Sequence, residues 1–403
     1  DGRVDGQPAA RTAMNANPFM ARFPDAGPVP TATSWTGLHG SALALAIHSA
    51  ATADGGITLV AARSSHQAQV LARDIELLAV RPLPVWLFPD HETLPYDPFS
   101  PHPDIIAERL KTLAALGAAR HGILLAPASS LMQRLPPADY ILQRSFDLAV
   151  GQPLVIEAFR QRLHHAGYEA AEQVYQSGQF AIRGSVIDLF PAGSSSPYRL
   201  DLFDEEIESI RLFDPESQRS TGKVERIALL PAREYPCDDQ SLEAFRRAFR
   251  YRFAVDTRNV NLYQDLRAGV LPQGLEQYLP LFHERTSFLL DYLQDRPRLV
   301  LQDGFHAAAE DLERRTRERW EQRRHDVERP VLDPAELFFG AAELRERLAP
   351  CPAVLIGAAD GQPGRLVAAG SAPVAFATEP APDLHIHERG REPAATLLAF
   401  LAG

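Results

Sequence analysis

Apolar positions along this chain change their spacing twice, and the two changes divide it. In the first stretch, short runs of adjacent apolar residues recur at 57–61, 85–88 and 122–126. Such runs, bounded by polar residues, predict strands buried on both faces. Between them, 41–53 is Ala-rich and helical in character, and a second helix is predicted at 67–78. A third opens with Asp104 as its cap and stacks Ile106, Leu110 and Leu113 on one face. Strands alternating with helices predict a parallel sheet covered on both sides.

Beyond about residue 136 the period shortens. One helix is predicted near 156–166, and three strand patterns follow between Phe180 and Phe213. Tyr198, Leu200 and Leu202 alternate with Arg199, Asp201 and Phe203, the period of a half-buried strand. Arg183-Gly184 interrupts the first pattern, and Asp204-Glu205 and Asp214-Pro215 bound the last. From about 222 the first spacing returns. It brings a loop at 271–274, a strand at 298–301, and a long helix from Ala307 with Leu312, Thr316 and Trp320 on one face. Further strands are predicted at 353–356 and 374–377, and a last helix from Pro393.

The predicted organisation is a tail at 1–33 and an α/β domain whose first part is 34–135 and second part 222–345. An α+β domain at 136–221 is inserted between these parts. A small α/β domain at 350–403 reads as cut short.

Composition narrows the class. A chain of 403 residues exceeds one ordinary core and predicts about two to four domains. With 45% apolar and 23% charged residues it reads as an ordinary globular protein. No run of about 18 apolar residues occurs, so no membrane span or membrane partner is predicted. Residues 1–8 are polar without a signal-peptide core, which argues against secretion. The chain does not begin with Met, so its true start is expected to be missing or processed. Cys237 and Cys351 lie far apart in sequence, which predicts neither a disulfide framework nor a zinc site and fits a reducing cytoplasm. A net charge of -11 argues against strong autonomous binding to DNA phosphates.

Several segments carry a family resemblance. Phe180-Ala-Ile-Arg-Gly-Ser-Val-Ile-Asp-Leu-Phe-Pro191, Tyr198-Arg-Leu-Asp-Leu-Phe203 and the patterns that follow are one. Phe88-Pro-Asp-His-Glu-Thr-Leu-Pro-Tyr-Asp97 upstream and Gly269-Val-Leu-Pro-Gln-Gly-Leu-Glu-Gln-Tyr278 downstream are others. In wording and order they resemble the UvrB-like, N-terminal region of the bacterial transcription-repair coupling factors, the Mfd family. The likeness covers about residues 30–340. It implies a degenerate P-loop (RecA/UvrB-like) parallel sheet carrying an inserted, hairpin-rich UvrA-binding domain.

In that family the whole protein displaces stalled RNA polymerase with an ATP-driven DNA translocase and recruits UvrA for nucleotide excision repair. The polymerase, double-stranded DNA, ATP and magnesium are implied for downstream modules. This chain is then a non-catalytic docking module with no cofactor of its own. The alternatives are an active ATP-dependent helicase subunit and a direct binder of damaged DNA.

Candidate chemistry is sparse. Trp35-Thr-Gly-Leu-His-Gly-Ser-Ala42 stands where such a fold carries its phosphate loop. Gly37 and Gly40 are too close together, Ser41 lies at or near the lysine position, and no Gly-Lys-Ser/Thr occurs anywhere. The loop reads as degenerate and is not expected to bind nucleotide. The acids at 204–206 imitate a magnesium site but also suit a hairpin turn. His91, Glu92, Asp97 and His102 match no metal-ligand spacing. By the resemblance, this region corresponds to a longer, tyrosine-rich hairpin that in UvrB clamps damaged DNA; here the segment is shorter and only Tyr96 remains, so base-stacking DNA capture is not expected. Arg314, Arg315, Arg317, Arg319, Arg323 and Arg324 are interleaved with glutamates, as in a salt-bridged solvated helix.

Arg183 beside Gly184, with Phe180 ahead of it, is the leading partner-binding candidate, because arginines and aromatics dominate interface hot spots. The resemblance assigns that arginine to UvrA binding, and Arg199 and Arg211 are candidates for extending its cationic face. The family pattern has further arginines where this chain has Ala181 and Glu169.

Overall fold

A computed structural model describes residues 33–79, 81–357 and 374–380. Its strands, in chain order, are β1 (Thr33–Thr36), β2 (Ile57–Ala62), β3 (Val85–Leu87), β4 (Gly122–Pro127), β5 (Phe146–Ala149) and β6 (Glu169–Ala170). Next come β7 (Gln179–Arg183), β8 (Val186–Leu189), β9 (Tyr198–Phe203), β10 (Glu206–Phe213), β11 (Ser220–Val224) and β12 (Arg226–Leu229). Last are β13 (Arg298–Leu301), β14 (Ala353–Ile356) and β15 (Val374–Ala375). Among the described residues, seven strands form one sheet in the order β15-β1-β14-β13-β2-β4-β3. Every pairing in it is parallel.

The apolar runs produce this sheet because both of its faces are covered. In β2, Ile57, Leu59 and Ala61 join one core while Val60 and Ala62 join the other. Helices α1 (Ala42–Asp54) and α2 (Ser65–Leu78) cover the second face with Ala44, Ile47, Ala68 and Leu71. Helix α3 (Pro103–Leu116) and the helices Phe305–Arg323 and Ala341–Leu348 cover the first. Each fully buried Leu or Ile contributes roughly 1.5–3 kcal/mol. The cap of α3 lies earlier than predicted, at His102. Its Nδ1 accepts the Asp104 N–H at 3.3 Å, and Pro103 takes the first helical position, where no N–H is needed.

The second unit is a six-stranded sheet in the order β11-β10-β9-β8-β7-β6, with β5 and β12 paired beside it. The helix Ile156–His165 buries Phe159 and Leu163 against one face. The predicted edge at 221 falls inside β11, which pairs with β10, and Ile227 and Leu229 of β12 belong to the same core. The unit therefore runs on through Leu229.

The strands predicted to open a separate small domain at 350 do not do so. β14 lies between β1 and β13, and β15 flanks β1, so both extend the main sheet. The predicted tail, apart from its last residue, and the helix from Pro393 lie outside the described residues. A helical cluster at 239–282, not resolved by the periodicity, packs Phe245, Phe249, Leu262 and Tyr278 into a core of its own.

Candidate functional site

Alternation sends Phe180, Leu200, Leu202 and Ile210 into the core of the second unit and their neighbours to its opposite face. Register then lines those neighbours up. Ala181, Asp188, Arg199, Arg211 and Lys223 form one row across β7 to β11. Arg183, Val186, Asp201 and Ser209 form the next. Phe203, Glu206 and Pro153 form a third, at the edge where the β9–β10 hairpin turns.

Asp188 organises the cationic part of this face. It is fully buried, yet its carboxylate receives two arginines. Arg199 donates through Nε at 2.6 Å and Nη2 at 2.9 Å, a two-pronged pairing, and its guanidinium lies 4.9 Å from the Phe213 ring centre. Arg183 donates to the same carboxylate through Nη2 and remains 49% exposed. Beyond them Arg211 pairs with Asp201 at 3.5 Å, and Asp201 also accepts from Ser209 Oγ at 2.9 Å. The two-residue turn Gly184–Ser185 begins with φ +61°, a conformation that favours glycine, and so reverses the chain directly after Arg183.

Arg183, Arg199 and Arg211 thus share one face. Phe180 does not. It is 1% exposed and stacks edge-on with the His164 ring at 5.2 Å. An offset of three along a strand puts it on the side away from Arg183. On the arginines' side lie Phe213, buried against Arg199, and Phe203, which is exposed and whose parity with Arg199 follows from the alternation of the strand.

The remaining candidates make contacts within the protein. Gly37 and Gly40 have φ of +70° and +55°. A Cβ on Gly37 would lie 2.2 Å from the Phe376 carbonyl oxygen. Thr378 Oγ1 accepts from His39 N–H at 3.0 Å and donates to the Gly37 carbonyl at 2.6 Å. Ser41 Oγ donates to Asp74. The His39 N–H, the Gly37 carbonyl and the Ser41 hydroxyl are thus engaged by the protein itself.

Asp204 and Glu205, with φ of +45° and +63°, are the two central residues of a tight hairpin. Asp97 pairs with Arg319, His102 caps α3, and His91 turns inward. On the arginine-rich helix, Arg314 reaches Glu318 at 2.7 Å, Arg315 reaches Asp311 at 2.9 Å and Arg324 reaches Glu321 at 3.1 Å. A cleft of about 610 Å³ opens beyond β2, β3 and β4. Its Ser65 and Ser129 hydroxyls both donate to Asp90.

Sequence reasoning missed the join between the two units. Glu234, just after β12, is buried and meets Arg109 Nε at 2.7 Å and His91 Nε2 at 3.0 Å. Arg109 is itself buried, donates to the Pro89 carbonyl at 2.7 Å and lies 4.3 Å from the Phe88 ring centre. Burial is the largest influence on the Glu234 carboxyl and opposes its charge. Arg109 and His91 together outweigh it and hold the group at about 2.

The UvrB interaction domain model matches residues 146–235, from the start of β5 to just beyond Glu234. The second unit is therefore a UvrB interaction domain, set into a parallel-sheet α/β protein. Over 312 residues, 77% of this chain, the sequence is 41% identical to a transcription-repair-coupling factor of Haemophilus influenzae, covering 27% of that protein. It is 42% identical over 266 residues to the Escherichia coli protein of that name, covering 66% of this chain and 23% of the relative. With the Bacillus subtilis protein it shares 29% over 294 residues, 69% of this chain and 25% of the relative. The chain is a relative of the transcription-repair-coupling factors and spans about a quarter of their length. Among the described residues no helix is long and apolar enough to cross a membrane.

Proposed function

We propose that this chain is the non-catalytic, UvrA-docking part of a cytoplasmic transcription-repair-coupling factor. In the whole protein, displacement of RNA polymerase stalled at a lesion is the work of an ATP-driven translocase on double-stranded DNA. That activity, with its ATP and magnesium, belongs to other parts of the protein. The second unit is the docking element, and Arg183, Arg199 and Arg211 carry its cationic face. One observation supports this most directly: a buried carboxylate, Asp188, holds two arginines in fixed positions on the sheet face opposite the main core of a UvrB interaction domain. Preset charges lose little freedom when a partner's carboxylates arrive. The taken-up contacts around Gly37 support the non-catalytic half of the reading.

Titration of purified UvrA with the chain tests the proposal. Arg183→Glu should weaken binding about tenfold or more while leaving the circular dichroism spectrum unchanged. Unchanged affinity would remove Arg183 from the site. ATP hydrolysis by the purified chain would overturn the non-catalytic reading. Salt-sensitive DNA binding lost on neutralising the 314–324 arginines would favour a DNA-binding role instead.

A further inference from the structure

We infer that Phe203 is the apolar anchor of the docking face, and that the UvrA surface opposite it is an apolar socket with carboxylates on one side and a cation on the other. This rests on the docking reading above and specifies the chemistry of the partner at that site.

Phe203 is 68% exposed, although it ends a strand whose core-side residues Leu200 and Leu202 are buried. The hairpin does not need the ring for its own packing. Across from it stands Glu206, and beyond that Pro153, while Ile207 fills the core side. An exposed apolar side chain on the sheet face that also carries ordered arginines is the arrangement in which aromatic anchors act.

The ring is also held on a firm base. The Asp204–Glu205 turn is tight, and its far strand is pinned by a neighbouring segment. Leu154 N–H donates to the Glu205 carbonyl at 2.6 Å, Ile207 N–H to the Gln152 carbonyl at 3.0 Å, and Gly151 N–H to the Ile207 carbonyl at 2.8 Å. A side chain with two rotatable bonds on a pinned hairpin loses little freedom on being buried by a partner.

Charge sets the orientation of the partner. Toward one end of the face lie Arg199, Arg211 and Lys223, and at the other end Asp204, Glu205 and Glu206 crowd the turn. Phe203 stands between them, in the row nearest the acids. A surface of uniform negative charge would suit the arginines and be repelled at the turn. The complement is therefore bipolar, with an apolar pocket near its dividing line.

The test is a calorimetric titration of UvrA with the full 403-residue chain and four variants. Phe203→Ser should weaken binding about tenfold or more, with an unchanged melting temperature. Phe203→Thr, whose branched side chain suits a strand, should do the same and decides the matter if the serine variant melts early. Tyr251→Ser removes a 95%-exposed aromatic from a different unit and should bind as the unaltered chain does. Arg183→Glu separates the two levels of the reading. Wild-type affinity in both Phe203 variants, with Arg183→Glu impaired, sinks the anchor and leaves the docking role standing. No binding of UvrA by the unaltered chain removes the docking role and the anchor with it.

Discussion

Asp188 and Glu234 are both buried carboxylates met by arginine, and their surroundings give them different work. Asp188 holds Arg183 and Arg199, whose outer edges reach solvent, so its charge orders a surface. Glu234 is enclosed by Arg109 and His91, so its charge orders a join between units. Because its folded-state value is depressed from 4.5 to about 2, it stabilises the fold fully above about pH 4.5. That contribution is lost as pH falls through about 2, since the unfolded carboxyl takes up its proton first. A shift of this size corresponds to about 3 kcal/mol. Glu234→Gln should therefore lower the stability by about 3 kcal/mol at pH 7 and leave Arg109 buried without a counter-charge. Urea denaturation at pH 7 and at pH 3 measures it. An equal loss at both pH values would show that the carboxylate's charge is not what stabilises the join.

The β9–β10 hairpin shows how far local sequence determines an element. Alternation alone puts Arg199, Asp201 and Phe203 on one face, and the acids Asp204 and Glu205 are the turn that joins the strands. Both central residues have positive φ, which costs a residue with a Cβ roughly 1 kcal/mol. Asp204→Asn with Glu205→Gly, the pair that best suits such a turn, should stabilise the unit by about 0.5–1 kcal/mol. A rise in its melting temperature is the readout, and a fall would mean that the side chains hold the turn.

Other elements were less legible, for physical reasons. β11 reads Ser-Thr-Gly-Lys-Val and is mostly exposed, so an edge strand without apolar alternation hid the true end of the unit. Closeness in sequence pairs Phe180 with Arg183, whereas an odd offset in a strand means opposite faces. The Glu234 join unites residues 125 apart, and the Thr378 contact with His39 spans 339. No local pattern encodes such meetings.

At the scale of the molecule, the UvrB interaction domain is built largely apart from the sheet that carries it. Its core draws on Leu148 through Leu229 and includes no residue of the main sheet. Its face is built from β7 to β11, all within residues 146–235. The polar ties to the rest lie at its end, where Glu234 meets Arg109 and His91, and where Tyr140 donates to the Arg233 carbonyl at 2.9 Å, while Gly193 also packs against the Lys111 side chain of α3. Cutting there leaves Glu234 and Tyr235 in water rather than buried without partners, so the unit forfeits no interaction that its own core or face requires. Residues 146–235 expressed alone should therefore unfold in one cooperative step and bind UvrA as tightly as the whole chain. Denaturant titration followed by circular dichroism, then calorimetry with UvrA, measures both. A fragment that folds but binds more than about tenfold weaker would mean that the parallel sheet supplies part of the docking surface. A fragment that does not fold would mean that the Glu234 join, beyond fixing where the unit sits, is needed for it to form.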